Sequence, residues 1–263
     1  MSMFTVADFE INGGIITGIT EAGKQKLKDS GGVIDSFPDK ATVIGSGAFS
    51  GDNIIVTAID SWGEITTICD GGFFDYPISR LPESWGKVEL IGDLAFSNNQ
   101  LTTLPDSWGE VRIIGNSAFE DNRITDIPDD WGGVSWLGDF VFYDNEIAAL
   151  PDNWGKIGEV GGYSFAYNNI VSLPASWDGL FYIGECAFMG NDIACLPESW
   201  GSVRIVGYAA FANNQIRKLP NSWGVVIGDS AFSGNQIDTV STTREYPLSS
   251  YYGLCQYPGR SEH

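Results

Sequence analysis

Large apolar residues return along this chain at a fixed interval of 23 positions, and the polar residues between them return in the same phase. The tryptophans that mark this interval are Trp62, Trp85, Trp108, Trp131, Trp154, Trp177, Trp200 and Trp223. Columns of phenylalanine, isoleucine, asparagine and proline keep the same spacing. A period of this length predicts one small structural unit copied end to end, and therefore a solenoid.

The repeating unit is I-G-x-x-A-F-x-x-N-x-I-x-x-L-P-x-S-W-G-x-V-x-x, and residues 91–113 form one full copy of about nine. A single coil cannot bury its own apolar side chains. Stacked coils place identical residues above one another at about the 4.8 Å spacing of paired strands, so the predicted core is a set of ladders. A buried asparagine amide is predicted to donate to one coil and accept from the next.

Two segments of each coil are candidates for the strand. The segment after S-W-G, such as residues 110–114, is rich in β-branched residues, whereas the I-x-x-L-P segment is short and ends at a proline. Two narrow parallel sheets are compatible with this pattern. The A-F-x-x-N segment predicts a tight helical turn. The expected fold class is an α/β repeat solenoid of short parallel strands and short helical turns.

The segments that flank the array are predicted to cap it. Residues 1–43 contain an Asn-Gly-Gly sequence between two apolar runs, which indicates a hairpin, and Thr20 then opens a short helix. Residues 44–237 carry the repeat. Residues 238–263 are rich in Ser, Thr, Tyr and Pro and are predicted to form a C-terminal cap or tail.

The N-x-I-x-x-L-P sequence of the central copies resembles leucine-rich repeats. More narrowly, I-G-x-x-A-F, as at residues 91–96 and 183–188, is similar to the Treponema-type or BspA-like repeats of bacterial surface proteins. This resemblance implies an extracellular or cell-surface module that binds or adheres without catalysis. The partners it implies are proteins or glycans on a host or neighbouring cell. The alternative is a structural spacer without a ligand of its own.

The charge balance narrows the range of partners. The chain has 34 acidic and 14 basic residues and a net charge of -20, which disfavours binding to nucleic acids and to anionic membranes. No apolar run approaches the ~20 residues that cross a bilayer, so membrane insertion is not expected. We expect a monomer. The first residues lack the pattern of a signal peptide, so the implied export predicts a processed fragment.

Histidine and cysteine offer little chemistry in this sequence. His263 is the only histidine, and the four cysteines show no C-x-x-C spacing, so neither histidine-based catalysis nor a zinc site is expected. We expect free thiols, with a bridge between Cys186 and Cys195 as the alternative. No cofactor is expected apart from the calcium ion considered next.

Carboxylates recur at the second position before tryptophan in most coils. They are Asp60, Glu83, Asp106, Asp129, Asp152 and Glu198, with Asp130 as an addition. One interpretation is that each carboxylate accepts hydrogen bonds from its own turn. The other is a row of weak Ca²⁺ sites involving Asp106, Asp129, Asp130 and Asp152, because calcium binds clustered oxygens. Carboxylates about 5 Å apart also suit a retaining glycosidase, which is the more distant alternative.

One variable column of the repeat carries candidate binding residues. It comprises Thr67, Leu90, Ile113, Trp136, Glu159, Tyr182 and Ile205. If this column faces solvent, Trp136 and Tyr182, with Phe181 beside them, are aromatic anchors for a protein or sugar. If it faces inward, they belong to the core. Tyr143 and Tyr167 lie in a second variable region, next to the asparagine column.

Overall fold

Two-residue strands, one from each coil, stack in parallel along the length of the molecule. The computed structural model describes residues 4–49, 54–152, 154–174, 177, 179–197, 200–219 and 226–238. Its helices are a 3-10 helix at Val6–Asp8 and α1 at Glu21–Asp29. Its strands are β1 (Phe9–Asn12), β2 (Ile15–Ile19), β3 (Val33–Ile34), β4 (Val43–Ile44), β5 (Ala58–Ile59), β6 (Thr67–Ile68), β7 (Leu90–Ile91), β8 (Ile113–Ile114), β9 (Trp136–Leu137), β10 (Glu159–Val160), β11 (Tyr182–Ile183), β12 (Ile205–Val206) and β13 (Val226–Ile227).

The main ladder uses the segment after S-W-G. It runs β2-β4-β6-β7-β8-β9 in one sheet and β10-β11-β12-β13 in a second, with identical repeat positions opposite one another. The I-x-x-L-P side contributes a short pair, β3 and β5, and isolated bridges such as Ala149 to Ser172. Both candidate segments therefore contain extended backbone, and the β-branched one carries the continuous ladder.

A bend at the start of each strand lets two apolar residues three apart both point inward. Val111 and Ile114 are fully buried, although an unbent strand would place them on opposite faces. The Val111 N–H donates to the Trp108 carbonyl at 2.9 Å, which closes a turn immediately before the strand. The strand that follows is consequently only two residues long, with Ile113 outward and Ile114 inward.

The A-F-x-x-N segment forms turns rather than the predicted helical turn. Two residues in the coil that begins at Ile91, Leu94 and Asn98, have φ angles of 57° and 55°, and a right-handed helix excludes such values. The Phe96 N–H donates to the Ala118 carbonyl at 2.8 Å instead of to its own chain segment. Backbone N–H groups of these turns therefore donate to the next coil and help to hold successive coils together.

Two aromatic ladders fill the core, as the period predicts. Successive tryptophans from Trp62 to Trp200 stack with ring centroids 5.5 to 6.2 Å apart. Successive phenylalanines from Phe49 to Phe232 stack at 5.1 to 5.7 Å. The indole N–H groups of the tryptophans from Trp62 to Trp177 are buried and find no oxygen or nitrogen acceptor among the described residues. Ring stacking and burial, rather than hydrogen bonds, hold these indoles.

The asparagine column satisfies backbone groups of the preceding coil. Asn168 Oδ1 accepts from the Ile147 N–H at 3.0 Å, and its Nδ2 donates to the Phe142 carbonyl at 2.8 Å. The same pair of bonds recurs from Asn99 to Asn235. The nitrogen also donates to its own coil, as from Asn191 to the Phe188 carbonyl at 3.2 Å. Each amide therefore links two coils, as the sequence predicts.

The two glycines of the repeat have different physical roles. Gly109, which follows tryptophan, has a φ of 54°, which glycine adopts without strain. Gly115, which follows isoleucine, is needed for close approach, because a Cβ there would lie 2.5 Å from Asp93 Oδ1. Gly109 is therefore needed for its backbone conformation, and Gly115 is needed because the preceding coil leaves no space for a side chain.

The N-terminal segment contains the hairpin and the helix that the sequence predicts. β1 and β2 pair antiparallel, and β2 then pairs in parallel with β4, so the hairpin is continuous with the main ladder. The Thr20 hydroxyl caps α1 by accepting from the Gly23 N–H. The boundaries at residues 43 and 237 stay predictions, and the tail predicted at 238–263 lies outside the described residues beyond Asp238.

A matched pair of substitutions tests the asparagine column. Asn168→Ala leaves the Ile147 N–H and the Phe142 carbonyl buried without partners, at about 1 to 3 kcal/mol each in the free energy of unfolding. Asn169→Ala, one residue away, removes an exposed side chain and is expected to change that free energy by about 0.5 kcal/mol or less. Urea unfolding followed by tryptophan fluorescence measures both. Equal losses in the two variants would contradict the assigned role.

Candidate functional site

The variable column of the main ladder faces solvent. Trp136 is 53% exposed, Phe181 is 46% exposed, and Tyr182 is half-buried. Ile113, Ile205 and Val226 are exposed in the same column. The two-residue strand explains this, because its second residue, such as Leu137 after Trp136, points into the core and its first points out. The core alternative for this column is therefore excluded.

The Phe181 ring lies against Gly158 of the preceding coil. A Cβ at Gly158 would lie 2.9 Å from Phe181 Cε1, so any larger residue at Gly158 would displace the ring. Tyr182, the next residue, pairs with Glu159 and Ile205 in the ladder. The aromatic side chains are thus placed by rigid backbone on both sides.

The ladder is interrupted beside Trp136. β9 ends the first sheet and β10 begins the second, so Trp136 and Glu159 occupy neighbouring coils without forming a ladder pair. Charges flank the apolar column on its N-terminal half, where the Arg112 guanidinium lies 4.0 Å from Glu89 and 3.9 Å from Glu110. We call the exposed residues Ile113, Trp136, Phe181, Tyr182 and Ile205 the strand-side column.

The structure brings Tyr143 and Tyr167 together on the turn side, with two partners that sequence reasoning missed. Their ring centroids lie 5.4 Å apart in an edge-to-face contact. Phe140 lies 5.6 Å from Tyr143 and stacks on Tyr163 at 4.7 Å. The available signal was that Phe140 and Tyr163 are the aromatic members of a column otherwise occupied by smaller residues such as Leu94.

The predicted calcium residues Asp106, Asp129, Asp130 and Asp152 are all exposed. Asp130 Oδ1 accepts from the Gly132 N–H at 2.8 Å, which is the turn-capping role. Among the described residues, no three acidic, histidine or cysteine side chains gather closely enough to hold a metal ion. This geometry favours capping, and the calcium sites stay a prediction. Heat released on Ca²⁺ addition in calorimetry, with a raised Tm, would support them.

A second row of acidic and amide side chains links the coils just after the strands. Asp93 Oδ1 accepts from the Asn116 N–H at 2.7 Å, and Asn116 Oδ1 accepts from the Asp139 N–H at 2.8 Å. Asp139 Oδ1 in turn accepts from the Gly162 N–H at 2.6 Å. Some of the carboxylates that give the chain its negative charge, such as those of Asp93 and Asp139, therefore accept hydrogen bonds between coils.

A polar groove of about 680 Å³ lies on the L-P-x-S-W-G side of the first coils, lined among others by Asp60, Arg80, Glu83 and Asp106. Arg80 pairs with Asp60 at 2.6 Å. The lining includes neither histidine nor cysteine. The groove therefore offers carboxylates and hydroxyls as its polar groups, beside the Arg80 guanidinium.

The described cysteines, Cys69, Cys186 and Cys195, form no disulfide bond. Cys69 is half-buried, Cys186 is buried and Cys195 is exposed. The alternative of a bridge between Cys186 and Cys195 is therefore wrong, because neither cysteine takes part in a disulfide. In the part of the chain that the structure describes, no helix has the length and apolar character to cross a membrane.

Negative charge accumulates around Glu120 in the turn segment. Burial, followed by the nearby Asp121 and Asp144 carboxylates, raises the pKa of Glu120 above its ordinary value, against the lowering effect of a hydrogen bond with Ser117. A carboxyl whose pKa is raised by folding destabilises the folded state when it is ionised. This cost is present at neutral pH and disappears as the pH falls below the pKa of the unfolded chain, about 4.3.

Glu120→Gln is therefore expected to raise the Tm at pH 7, with the difference from the parent protein shrinking as the pH approaches 4, near the unfolded pKa. Differential scanning calorimetry across this range measures it. Glu146→Gln is the control, because Glu146 is exposed and its replacement should leave the Tm nearly unchanged. A gain that persists at acid pH would contradict the electrostatic explanation.

Comparison with solved structures gives bacterial repeat proteins at low identity. A leucine-rich repeat protein from Bacteroides ovatus is 16% identical with a TM-score of 0.39, and the match covers 86% of this chain and 89% of that one. The pneumococcal vaccine antigen PcpA is 17% identical with a TM-score of 0.40, over 87% and 77% of the two chains. A leucine-rich repeat protein from Eubacterium ventriosum is 14% identical with a TM-score of 0.39, over 92% and 94%.

No curated protein matches the chain significantly. The family model for the BspA type leucine rich repeat region matches in 6 copies, over residues 34–148 and 156–250. These ranges include every strand of the main ladder from β4 to β13, all but β2, and cover well over half of the chain. The repeat, the parallel ladder and this match agree, and the chain belongs to the BspA-type leucine-rich-repeat family.

Proposed function

We propose that this protein is a non-catalytic binding or adhesion module at the bacterial cell surface, and that the strand-side column contacts its partner. The observation that carries the proposal is the exposure of Trp136 and Phe181, with Tyr182, on the outward face of the main ladder. Large aromatic side chains exposed on a rigid surface are typical of binding hot spots.

The backbone beneath these residues favours a binding role, because it holds them in place before any partner arrives. Tyr182 belongs to a strand paired on both sides, and Phe181 is fixed against Gly158. Little conformational entropy is then lost when the aromatic rings are covered. The apolar column extends through Ile113 and Ile205, so an extended partner could contact several coils at once.

The partner we propose is a protein or glycan on a host or neighbouring cell. The net charge of -20 favours a neutral or basic surface over an anionic one. Membership of a family whose proteins are typically surface-associated supports the location. We propose that the module acts as a monomer, outside the cell, without an obligatory cofactor.

Two alternatives differ in what they predict for the same protein. A spacer would hold another domain away from the cell without binding anything itself, and would give no signal on a broad glycan and matrix-protein array. A carboxylate-based glycoside hydrolase would use the groove that contains Asp60, Glu83 and Asp106, and would release product from a polysaccharide panel.

Alanine substitutions at the strand-side column test the proposal. Trp136→Ala and Tyr182→Ala are each expected to weaken binding to any array ligand by about tenfold or more, because hot-spot truncations cost roughly 2 kcal/mol. The Tm should stay within a few degrees, since both side chains lie outside the core. Surface plasmon resonance on the captured ligand measures the affinity.

Val171→Ala is the matched control, because Val171 is an apolar side chain that is 56% exposed on a different segment of the coil. It should leave both affinity and Tm unchanged. Full retention of ligand by Trp136→Ala and Tyr182→Ala together would remove the strand-side column from the binding site.

A further inference from the structure

Four aromatic residues on the turn side form one connected cluster, which we call the turn-side belt: Phe140, Tyr143, Tyr163 and Tyr167. Phe140 and Tyr163 stack with their planes 3° apart, and Tyr143 and Tyr167 meet at 74°. Tyr167 is 44% exposed and the other three are half-buried. The belt spans two successive coils, and its most exposed member is Tyr167.

Three members of the belt have an unfavourable backbone conformation. Phe140, Tyr163 and Tyr167 have φ angles of 58°, 55° and 56°. In the column of Tyr167 the other residues are those that tolerate a positive φ: Asp75, Asn98, Asp121, Asp144, Gly190, Asn213 and Gly234. A bulky aromatic at the Tyr167 position costs stability. In the column of Phe140 and Tyr163 a positive φ recurs at smaller residues such as Leu94 and Ser117, so there it is a property of the repeat.

The next coil makes room for the Tyr167 ring. A Cβ at Gly190 would lie 2.9 Å from Tyr167 Cδ1 and 3.0 Å from Cε1, so the ring lies directly over the glycine. Beneath the belt, Tyr143 and Tyr163 pack on a small apolar cluster separate from the main core. That cluster comprises Ala166, Cys186, Met189, Ala209 and Ala212. The tyrosines are therefore supported from below and from one side.

The surface around the belt is acidic. The turn segments 138–152, 161–174 and 184–197 contain six carboxylates and no lysine or arginine. Two of these carboxylates, from Asp139 and Glu185, lie on either side of Gly162, which immediately precedes Tyr163. Asp139 accepts from the Gly162 N–H at 2.6 Å, and a Cβ at Gly162 would lie 3.2 Å from Glu185 Cγ.

We propose that the turn-side belt binds an arginine-rich segment of a partner protein. A guanidinium group stacks flat on aromatic rings and at the same time donates to carboxylates, so it matches both features of this surface. A lysine ammonium can also lie over a ring, but it neither stacks flat on the ring nor donates two parallel hydrogen bonds to a carboxylate. The belt lies on a different segment of the coil from the strand-side column, and this inference does not require that column to bind anything.

The substitution Tyr167→Asn separates binding from folding. It installs a residue that the same column carries at Asn98 and Asn213, so the backbone strain is relieved and the Tm should be equal or higher. Binding should become about tenfold weaker, because the exposed ring that stacks on the guanidinium is lost. A purely structural tyrosine would instead lower the Tm when removed.

The probe is a fluorescein-labelled peptide of alternating arginine and glycine, with the lysine-glycine peptide as comparison, and fluorescence anisotropy as the measurement. We expect the arginine peptide to bind more tightly than the lysine peptide. Glu185→Gln should weaken arginine-peptide binding without lowering the Tm, and added salt should weaken it further. Trp136→Ala, in the strand-side column, should leave this binding unchanged.

Several results would overturn the inference. The first is that the arginine peptide does not bind the parent protein. The second is that the two peptides bind equally well, and the third is that the arginine peptide binds Tyr167→Asn as tightly as the parent. Loss of peptide binding in Trp136→Ala would transfer the site to the strand side. If Trp136→Ala loses the array ligands but still binds the arginine peptide, the strand-side column and the turn-side belt are separate binding surfaces. The failure of one proposal can therefore be told apart from the failure of the other.

Discussion

Each coil of this solenoid depends on an amide side chain supplied by the coil that follows it. The asparagine oxygen receives an isoleucine N–H and the asparagine nitrogen reaches a phenylalanine carbonyl, as in Asn145 with Ile124 and Phe119. Without this side chain, the turns would leave two buried backbone groups unpaired in each coil, at about 1 to 3 kcal/mol for each group. Where Tyr76 replaces the asparagine, its hydroxyl donates to the Phe49 carbonyl and keeps one of the two bonds.

Because the asparagine column and the core fix the backbone, residues that face solvent can vary from coil to coil. The stacked indoles and phenyl rings, the amide column and the glycines fix the path of the backbone in nearly the same way at every coil. The first residue of each strand and the left-handed positions of the turns lie outside that frame. Both proposed binding surfaces use such positions, because a change there alters the surface without altering the stack.

The repeat alone predicts the stacking, the apolar columns and the family, because a strict period leaves no other way to bury Trp108 and its equivalents. It does not predict how the chain bends between Val111 and Ile114, since that bend comes from a turn hydrogen bond and not from residue type. The stacking of Phe140 on Tyr163 follows from their separation of 23 residues, but no sequence pattern predicts the positive φ angles of both residues. The expected helical turn failed for the same reason at Leu94.

The direction of the amide bonds makes the two ends of the rod chemically unequal. A coil stripped from the N-terminal end would leave an asparagine side chain that water can solvate, together with backbone N–H groups, such as that of Gly92, that had donated to the lost coil. A coil stripped from the C-terminal end would expose the isoleucine N–H and phenylalanine carbonyl of the new terminal turn, as Asn235 shows by covering Ile216 and Phe211. During synthesis from the N-terminus, every added coil therefore supplies the amide bonds that its predecessor lacks.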